Sequence, residues 1–395
     1  MGNTNQNTND LKIKKYSSVY NQNLDLVVNK AFEFIIDTTK IGGSNTQYGF
    51  TASSTPVNFT VDWGDGTSDV ITTYNDPLLT HDYIATGGAG VYNIKITGLL
   101  PSPRFYGTYD DKLMEITNWG NIGVTSMVTT FRNCTNLVVS ATDGSGWKPT
   151  SMILAFSNCT SLVSGVSNID VSNCTNFFAT FRSSSSFNED LTSWNVSNGT
   201  DFQGFFRDCT SLTLFPINWS VKGICSDFFY ECTSANPDLS TWNFEGVTSY
   251  NYMFKDTSYN RPITNFSSAS LYDISRMMRG TPFNQNVDSL TSSVMTRIQD
   301  WCRSGSGFNQ SLGAWNLENV ISLGYISNGS MSNANYQDTL VGWLGWSGGA
   351  PTRTVASGLS VNAYSSKYEI GGDSEAARNY LISTLGWTIT DGGGI

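Results

Sequence analysis

Between Phe131 and Ile326 the apolar positions of the chain recur as one short phrase, nine times, at intervals of 25, 25, 25, 23, 25, 24, 24 and 24 residues. The phrase reads TFRNC around Phe131, AFSNC around Phe156, TFRSS around Phe181, FFRDC around Phe206, FFYEC around Phe229 and MFKDT around Phe254. It then decays to MMRGT, WCRSG and YISNG around Met278, Cys302 and Ile326. Met127, Phe131 and Cys134 fall at i, i+4 and i+7, as do Met152, Phe156 and Cys159, and Phe202, Phe206 and Cys209. That spacing predicts a helical turn with one apolar face. Another apolar residue follows at Leu137, Leu162, Phe187 or Leu212, and then a strand-like phrase such as LTSWNVS at Leu191, LSTWNFE at Leu239 or LGAWNLE at Leu312. Each unit is thus expected to be a helical turn and a short strand, with the strands stacked in parallel. A unit this short cannot bury its own apolar face, so stability must come from neighbours stacked around a shared core. The expectation for residues 119–333 is a solenoid of about nine units, on the order of 45 Å long at the ~4.8 Å spacing of neighbouring strands.

The flanks are patterned differently. Residues 1–30 are Asn-rich with little periodicity and read as an extended N-terminal arm. From Ala31 the apolar positions alternate, in FEFIIDT at Phe32–Thr38, VNFTVDW at Val57–Trp63 and VYNIKITG at Val91–Gly98. Alternation between Gly-rich turns predicts a small β-sandwich over 31–118. Beyond Ser332 the period turns helical. NYQDTLVGWLGW at Asn335 predicts one helix, and SEAARNYLISTLGWTITDGG at Ser374 predicts a second, N-capped by Ser or Asp, then a last strand. This α/β segment, 334–395, is the cap that a stacked core requires at its end. The fold class is therefore mainly β with short helices.

Composition narrows the function. Charged residues make up 14% and Lys plus Arg number 22 against 32 acids, a net charge of −10 that offers no basic stripe for nucleic acid. No window is apolar enough for a membrane helix, so membrane insertion is not expected. The N-terminal MGNTNQNTNDLKIKK lacks the apolar run of a secretory signal, and the first cysteine is Cys134. A surface location would then be reached as part of a virus particle rather than by ordinary secretion. Asn recurs before Cys in NCT, at Asn173, and in FN at Asn188, Asn284 and Asn309. Several of these positions read as N-x-[ST] sequons, but their fixed place in the repeat favours a structural role, bridging backbone groups of adjacent units.

Two resemblances add to this reading. VDWGDGTSDVI followed by THDYIATGGAGVYNIKI resembles the PKD-type immunoglobulin-like domain, through the WGDG turn at Trp63–Gly66 and H-x-Y at His81–Tyr83. With that prelude, KLMEITNWG at Lys112, the repeated V-T-S-M-x-x-x-F and S-F-N-x-D-[IL]-x-x-W phrases and the closing GWTITDGG resemble the BspA-type leucine-rich-repeat surface proteins. The resemblance implies a leucine-rich-repeat-type solenoid on a surface-displayed module that binds host or matrix molecules. It names no ligand.

Candidate chemistry is thin. Asp62 and Asp65 have oxygens for calcium, although Asp65-Gly66 reads better as a tight hairpin turn. His81, the single histidine, reads as a packed or surface residue. Four of the seven cysteines, Cys134, Cys159, Cys209 and Cys232, share one repeat position, and stacking would bring Cys134 near Cys159 and Cys209 near Cys232. Ser184, Thr257 and Thr281 replace them at equivalent positions, which, with the odd count of seven, favours free buried thiols over disulfides; Cys174, Cys225 and Cys302 lie outside that column. GWSGG at Gly345–Gly349 matches the G-x-S-x-G elbow, yet a helix precedes Ser347 and no histidine follows residue 81. Glu189, Asp190, Asp208 and Glu231 supply carboxylates for a glycan depolymerase, but scattered turn acids explain them more simply. Trp194, Trp242 and Trp315 recur with the period and read as core rather than as sugar platforms.

These readings give no catalytic, cofactor-binding or metal residues, no cofactor, and no assignable binding residue. The expected function is a non-enzymatic virion-surface structural or adhesion protein. Its arm would contact other virion proteins and its solenoid a host-surface glycan or protein, in a multi-copy or oligomeric assembly. A secreted bacterial adhesin and a virion-associated depolymerase are the alternatives.

Overall fold

The computed structural model describes residues 30–53, 56–304 and 307–395, so the expected arm lies outside the described residues apart from Lys30. The molecule is mainly β with few short helices. Strands β1 (Phe32–Asp37), β2 (Gln47–Gly49), β3 (Thr51–Ala52), β4 (Asn58–Asp62) and β5 (Ser68–Ile71) come first. They are followed by β6 (Thr80–Asp82), β7 (Val91–Leu99), β8 (Pro103–Arg104), β9 (Leu113–Asn118) and β10 (Val138–Val139). One six-stranded sheet has the order β10-β9-β1-β7-β4-β5, and two ribbons, β2-β6 and β3-β8, stand apart from it. Alternation in FEFIID puts Phe32, Phe34 and Ile36 into the core. The ribbon strands are only two or three residues long, and the topology does not establish the expected two-sheet sandwich. The hairpin β4-β5 turns through Gly64, whose φ of 76° and whose Cβ position, 2.4 Å from the Asn93 carbonyl oxygen, exclude a side chain.

The repeat region corrects the expected local structure. Residues around Phe131, Phe156, Phe181 and Phe206 are consecutive turns rather than a helix. Each unit holds two residues with left-handed φ, four apart: Thr129 and Asn133, Leu154 and Asn158, Ala179 and Ser183, Gly204 and Asp208, Asp227 and Glu231, Tyr252 and Asp256. Left-handed residues reverse the peptide direction and stop a helix from propagating. Alternate N–H groups therefore point out of the unit and into the next. Met127, Thr129, Phe131 and Asn133 donate to the carbonyls of Ser151, Ile153, Ala155 and Ser157 at 2.8–2.9 Å. The groups between them close turns within the unit, as Thr130 N–H to Met127 and Cys134 N–H to Phe131. The same alternation continues at Phe156, Phe181, Phe206, Phe229 and Phe254.

Strand-like phrases such as LTSWNVS are also turns. In the stack, strands are confined to short pieces such as β11 (Gly223–Ile224), β12 (Val247–Ser249) and β13 (Gly324–Tyr325), joined by isolated parallel bridges such as Ser151 with Asn176 and Asn176 with Asp201.

Side chains follow the backbone. Phe105, Phe131, Phe156, Phe181, Phe206, Phe229 and Phe254 form one file of stacked rings with centroids 5.3–5.8 Å apart. Phe105 belongs to the N-terminal region, so the file runs without a break from there into the repeats. The buried cluster as a whole extends from Phe32 to Trp387.

At the far end, α1 (Asn333–Leu344), β14 (Ser360–Asn362), α2 (Asp373–Ser383) and β15 (Thr388–Thr390) continue the ladder as the parallel sheet β13-β14-β15. Ser332 caps α1 through the Asn335 N–H, whereas α2 begins after Gly372 with no side-chain cap. The expected Ser or Asp N-cap of α2 is thus absent; Ser374 instead accepts from the Glu369 N–H at 3.0 Å. Arg353 fastens cap to stack, donating from its guanidinium to the carbonyls of Gly313, Gly342, Ala314 and Trp315 at 2.6–3.1 Å.

Truncating a ring in the file leaves a void flanked by rings on both sides. Phe206→Ala should cost about 3–5 kcal/mol of stability. Asn133→Val, which places a β-branched residue in a left-handed position, should cost roughly 1–2 kcal/mol. Urea unfolding midpoints of the two variants check both values.

Candidate functional site

The residues that tempt a chemical reading are mostly occupied in holding the stack. Cys159, Cys209 and Cys232 donate their thiols to the carbonyls of Phe131, Phe181 and Phe206 in the preceding unit, at 3.0, 3.1 and 2.8 Å. Ser184 does the same toward Phe156 at 2.6 Å, which explains why serine replaces cysteine in this column. All seven cysteines are buried and unpaired. Burial pushes their thiols up in pKa, Cys174 to about 12, so none carries a reactive thiolate near neutral pH.

The periodic tryptophans are core, as their spacing predicts. The indole N–H of Trp194, Trp219, Trp242 and Trp315 donates to a carbonyl of the unit before, at Val166, Leu191, Pro216 and Val287. The asparagines bridge units. Asn188 accepts from the Thr213 and Leu214 N–H groups, Asn284 from Asn309 and Asn309 from Ser332, all at 2.7–2.8 Å.

The carboxylates considered for glycan cleavage are committed likewise. Glu189 accepts three backbone N–H groups, of Gly165, Val166 and Ser167. Asp190 caps Thr192. Asp208 takes the Ser183 hydroxyl and lies 3.5 Å from Arg207, and Glu231 lies 3.5 Å from Lys255. Ser347 of GWSGG follows the left-handed C-cap Gly345 of α1 and closes a small turn with Ala350. No strand leads into it, so the elbow geometry is missing there.

In the N-terminal region Asp62 accepts the Gly64 N–H. Asp65 receives the N–H and hydroxyl of Thr67 on one oxygen, and the Thr86 hydroxyl and His81 Nε2 on the other. Both of its oxygens are taken up by these bonds, which tie the turn to His81 and Thr86. His81 stacks on Trp63 with centroids 5.0 Å apart, and Tyr83 meets its edge. Among the described residues no group of three or more His, Cys, Asp or Glu gathers to hold a metal. Among the same residues no helix is long and apolar enough to cross a membrane.

One flank of the later units carries a charged and aromatic ladder that the repeat phrase did not reveal. Tyr230 is sandwiched between Arg207 at 4.2 Å and Lys255 at 4.1 Å. Arg276 lies over Tyr252, Arg303 over Tyr325, and both arginines reach Asp300. Sequence reasoning missed it because cation and aromatic alternate between units within one column, Arg207, Tyr230 and Lys255, and no single unit shows the pattern. Cations from the units on either side lie over Tyr230, so this ladder ties units together.

Residues 125–226 and 223–340 match a family described as Mycoplasma protein of unknown function, DUF285, and together they span more than half of the chain. The match identifies a repeat protein of the BspA-like surface class. The chain belongs to the DUF285 family, whose character is that of cell-surface repeat proteins. The family match carries no PKD domain and no virion association. No curated protein and no solved structure matches the chain.

Two predictions follow from the buried groups. Ellman's reagent should find almost no thiol in the native protein and all seven after denaturation; rapid native labelling would contradict the ladder. The second concerns acid. Burial opposes ionisation of Asp65, yet hydrogen bonds from Thr67, Thr86 and His81 prevail and hold its carboxyl well below the usual carboxylate range. Burial likewise opposes ionisation of Asp391 in the cap, and hydrogen bonds from Arg378 and Tyr336 lower it. A carboxyl lowered on folding contributes stability that is present above its unfolded pKa and lost as pH falls toward the folded one. The melting temperature should therefore drop below about pH 4, with a shallower fall in Asp65→Asn; equal slopes would refute the assignment.

Proposed function

We propose that this is a non-enzymatic adhesion or structural protein of the cell surface, whose units 119–333 form a leucine-rich-repeat-type solenoid presented to host or matrix molecules. The observation that carries this reading is the use of several of the repeat's reactive side chains, Cys159, Cys209, Cys232, Glu189 and Asp208, as ties between units. Apart from the charged ladder through Tyr230 the chain is poor in charge, at 14% charged residues, and such a repeat suits weak contacts repeated along a polymer and strengthened when many copies act together. Family membership supports a surface setting. In this reading residues 31–118 are an immunoglobulin-like module that holds the solenoid away from its attachment point, and 1–30 are the attachment. The family match favours a cell-surface setting over a virion one.

The test loads beads with the full chain and measures retention on cell-wall polysaccharide and on extracellular-matrix protein, with a reducing-end assay on the supernatant. Retention without release of reducing ends is expected. Released oligosaccharide would overturn the non-enzymatic reading, and absence of retention on every surface would overturn adhesion.

A further inference from the structure

Cations are segregated on one flank of the stack. The residue that follows each member of the ring file, from Phe105 to Phe254 and on through Met278, Cys302 and Ile326, occupies the same place in its unit. Six of these ten places hold a cation, namely Arg132, Arg182, Arg207, Lys255, Arg279 and Arg303. The others hold serine or tyrosine and none an acid, in a chain whose acids outnumber its cations 32 to 22. Consecutive members lie side by side, since Arg207 and Lys255 meet Tyr230 at 4.2 and 4.1 Å.

The column is not uniform. Further along it, acids take up the charge: Arg207 reaches Asp208 and Asp227, Lys255 reaches Glu231, and Arg303 reaches Asp300. In the first three units the turns at 127–134, 152–159 and 177–184 contain no acid. Arg132 and Arg182 are exposed there, and among the described residues their side chains make no hydrogen bond or ion pair. Asp227, the acid whose charge Arg182 feels, is itself paired with Arg207 at 3.8 Å.

Between these two arginines stands Ser157, short where its neighbours are long. Phe131, Phe156 and Phe181 stack at 5.3 and 5.5 Å, so Arg132 and Arg182 rise two units apart, roughly 10 Å, on either side of a notch. Ser157 is only 6% exposed, and among the described residues its hydroxyl has no protein partner, whereas the Ser184 hydroxyl is committed to Phe156. Beside it the Asn133 Oδ1 accepts from Asn158 Nδ2 at 3.3 Å, which fixes the amide and leaves Asn133 Nδ2 without a protein partner. Two guanidinium groups, a hydroxyl and an amide thus border one notch with no carboxylate among them.

We infer that this notch binds a sulfate group of a sulfated matrix polysaccharide. Two forked guanidinium groups from opposite sides match a tetrahedral anion, each engaging two of its oxygens, whereas one fork suffices for a planar carboxylate. The acids that begin at Asp208 oppose a dense polyanion such as nucleic acid, whose closely spaced phosphates would run over them. The inference rests on the surface-adhesion reading and gives it a ligand class.

The test immobilises the full chain and measures its affinity for chondroitin sulfate, for hyaluronan, which carries carboxylates and no sulfate, and for single-stranded poly(dT). Arg132→Gln and Arg182→Gln each remove one fork, and Lys222→Gln removes an exposed cation outside the column. All three side chains are exposed, so the variants should keep the wild-type melting temperature. Chondroitin sulfate should bind at least tenfold more tightly than hyaluronan or poly(dT). Its affinity should fall fivefold or more in each arginine variant and hold in Lys222→Gln. No binding of chondroitin sulfate, equal binding of hyaluronan or poly(dT), unchanged affinity in either arginine variant, or an equal loss in Lys222→Gln would overturn the inference. Bead retention separates it from the broader reading: beads that adhere while chondroitin sulfate does not bind refute the notch alone. Chondroitin sulfate binding without bead retention refutes surface adhesion and leaves the notch standing.

Discussion

The whole stack depends on a backbone device, the pair of left-handed residues that turns alternate N–H groups out of each unit. In a helix every N–H points along its own axis and finds its carbonyl within the same element. Here half of them close turns inside the unit and half reach the next one, so backbone groups are satisfied without long strands. The second left-handed position is filled by residues that tolerate it, Asn133, Asn158, Ser183 and Asp208. The first holds Gly204 and Asp227, which suit it, but also Thr129, Leu154, Ala179 and Tyr252, which do not favour it. Ladder bonds on both sides of each unit outweigh that local cost, which is the sense in which no unit stands without its neighbours.

Once the backbone is arranged this way, side-chain roles follow by position. A group just inside the turn faces the preceding unit's Phe carbonyl, and a small donor fits there: the thiol of Cys159 or Cys209, or the hydroxyl of Ser184. An indole on the opposite side reaches back to another carbonyl. Polar side chains on the flank bind the loops, as Glu189 does with three N–H groups. Residue types associated with redox, metal or acid–base chemistry are thus consumed as structural donors and acceptors, and a burial-raised thiol such as Cys174 is chemically quiet as a result.

The period, the shared core and the structural use of Cys, Asn and Trp were legible in the sequence, because each is a consequence of identical residues recurring at a fixed spacing. The local conformation was not. Apolar residues at i, i+4 and i+7 lie on one side of a helix, and also on one side of a run of turns broken by left-handed residues; Met127, Phe131 and Cys134 satisfy both descriptions. The distinguishing signal was Asn, Asn, Ser and Asp at 133, 158, 183 and 208, residues that accept positive φ. In the cap the two helices were visible, but Gly372 rather than Ser or Asp precedes α2, since Ser374 is drawn to Glu369 instead. The charged ladder through Tyr230 and the notch over Ser157 were invisible for a different reason. Both arise between units, from residues about a repeat apart in the chain.

That last point bears on where recognition can reside in such a molecule. A perfect repeat uses its polar groups to satisfy its neighbours, and its outer surface is what remains after those bonds are made. The residue after Trp194, Trp242 and Trp315 shows how local such uses are: Asn195, Asn243 and Asn316 each accept the N–H two residues on. The register falters most between Phe206 and Phe229, where the interval falls to 23 residues. There the Thr192 and Thr241 hydroxyls accept the Ile217 and Asn218 N–H groups, so the shortened loop stays tied to the units on both sides. An irregularity of this kind is tolerated at little cost to the fold, because the ladders on either side continue and carry the stability.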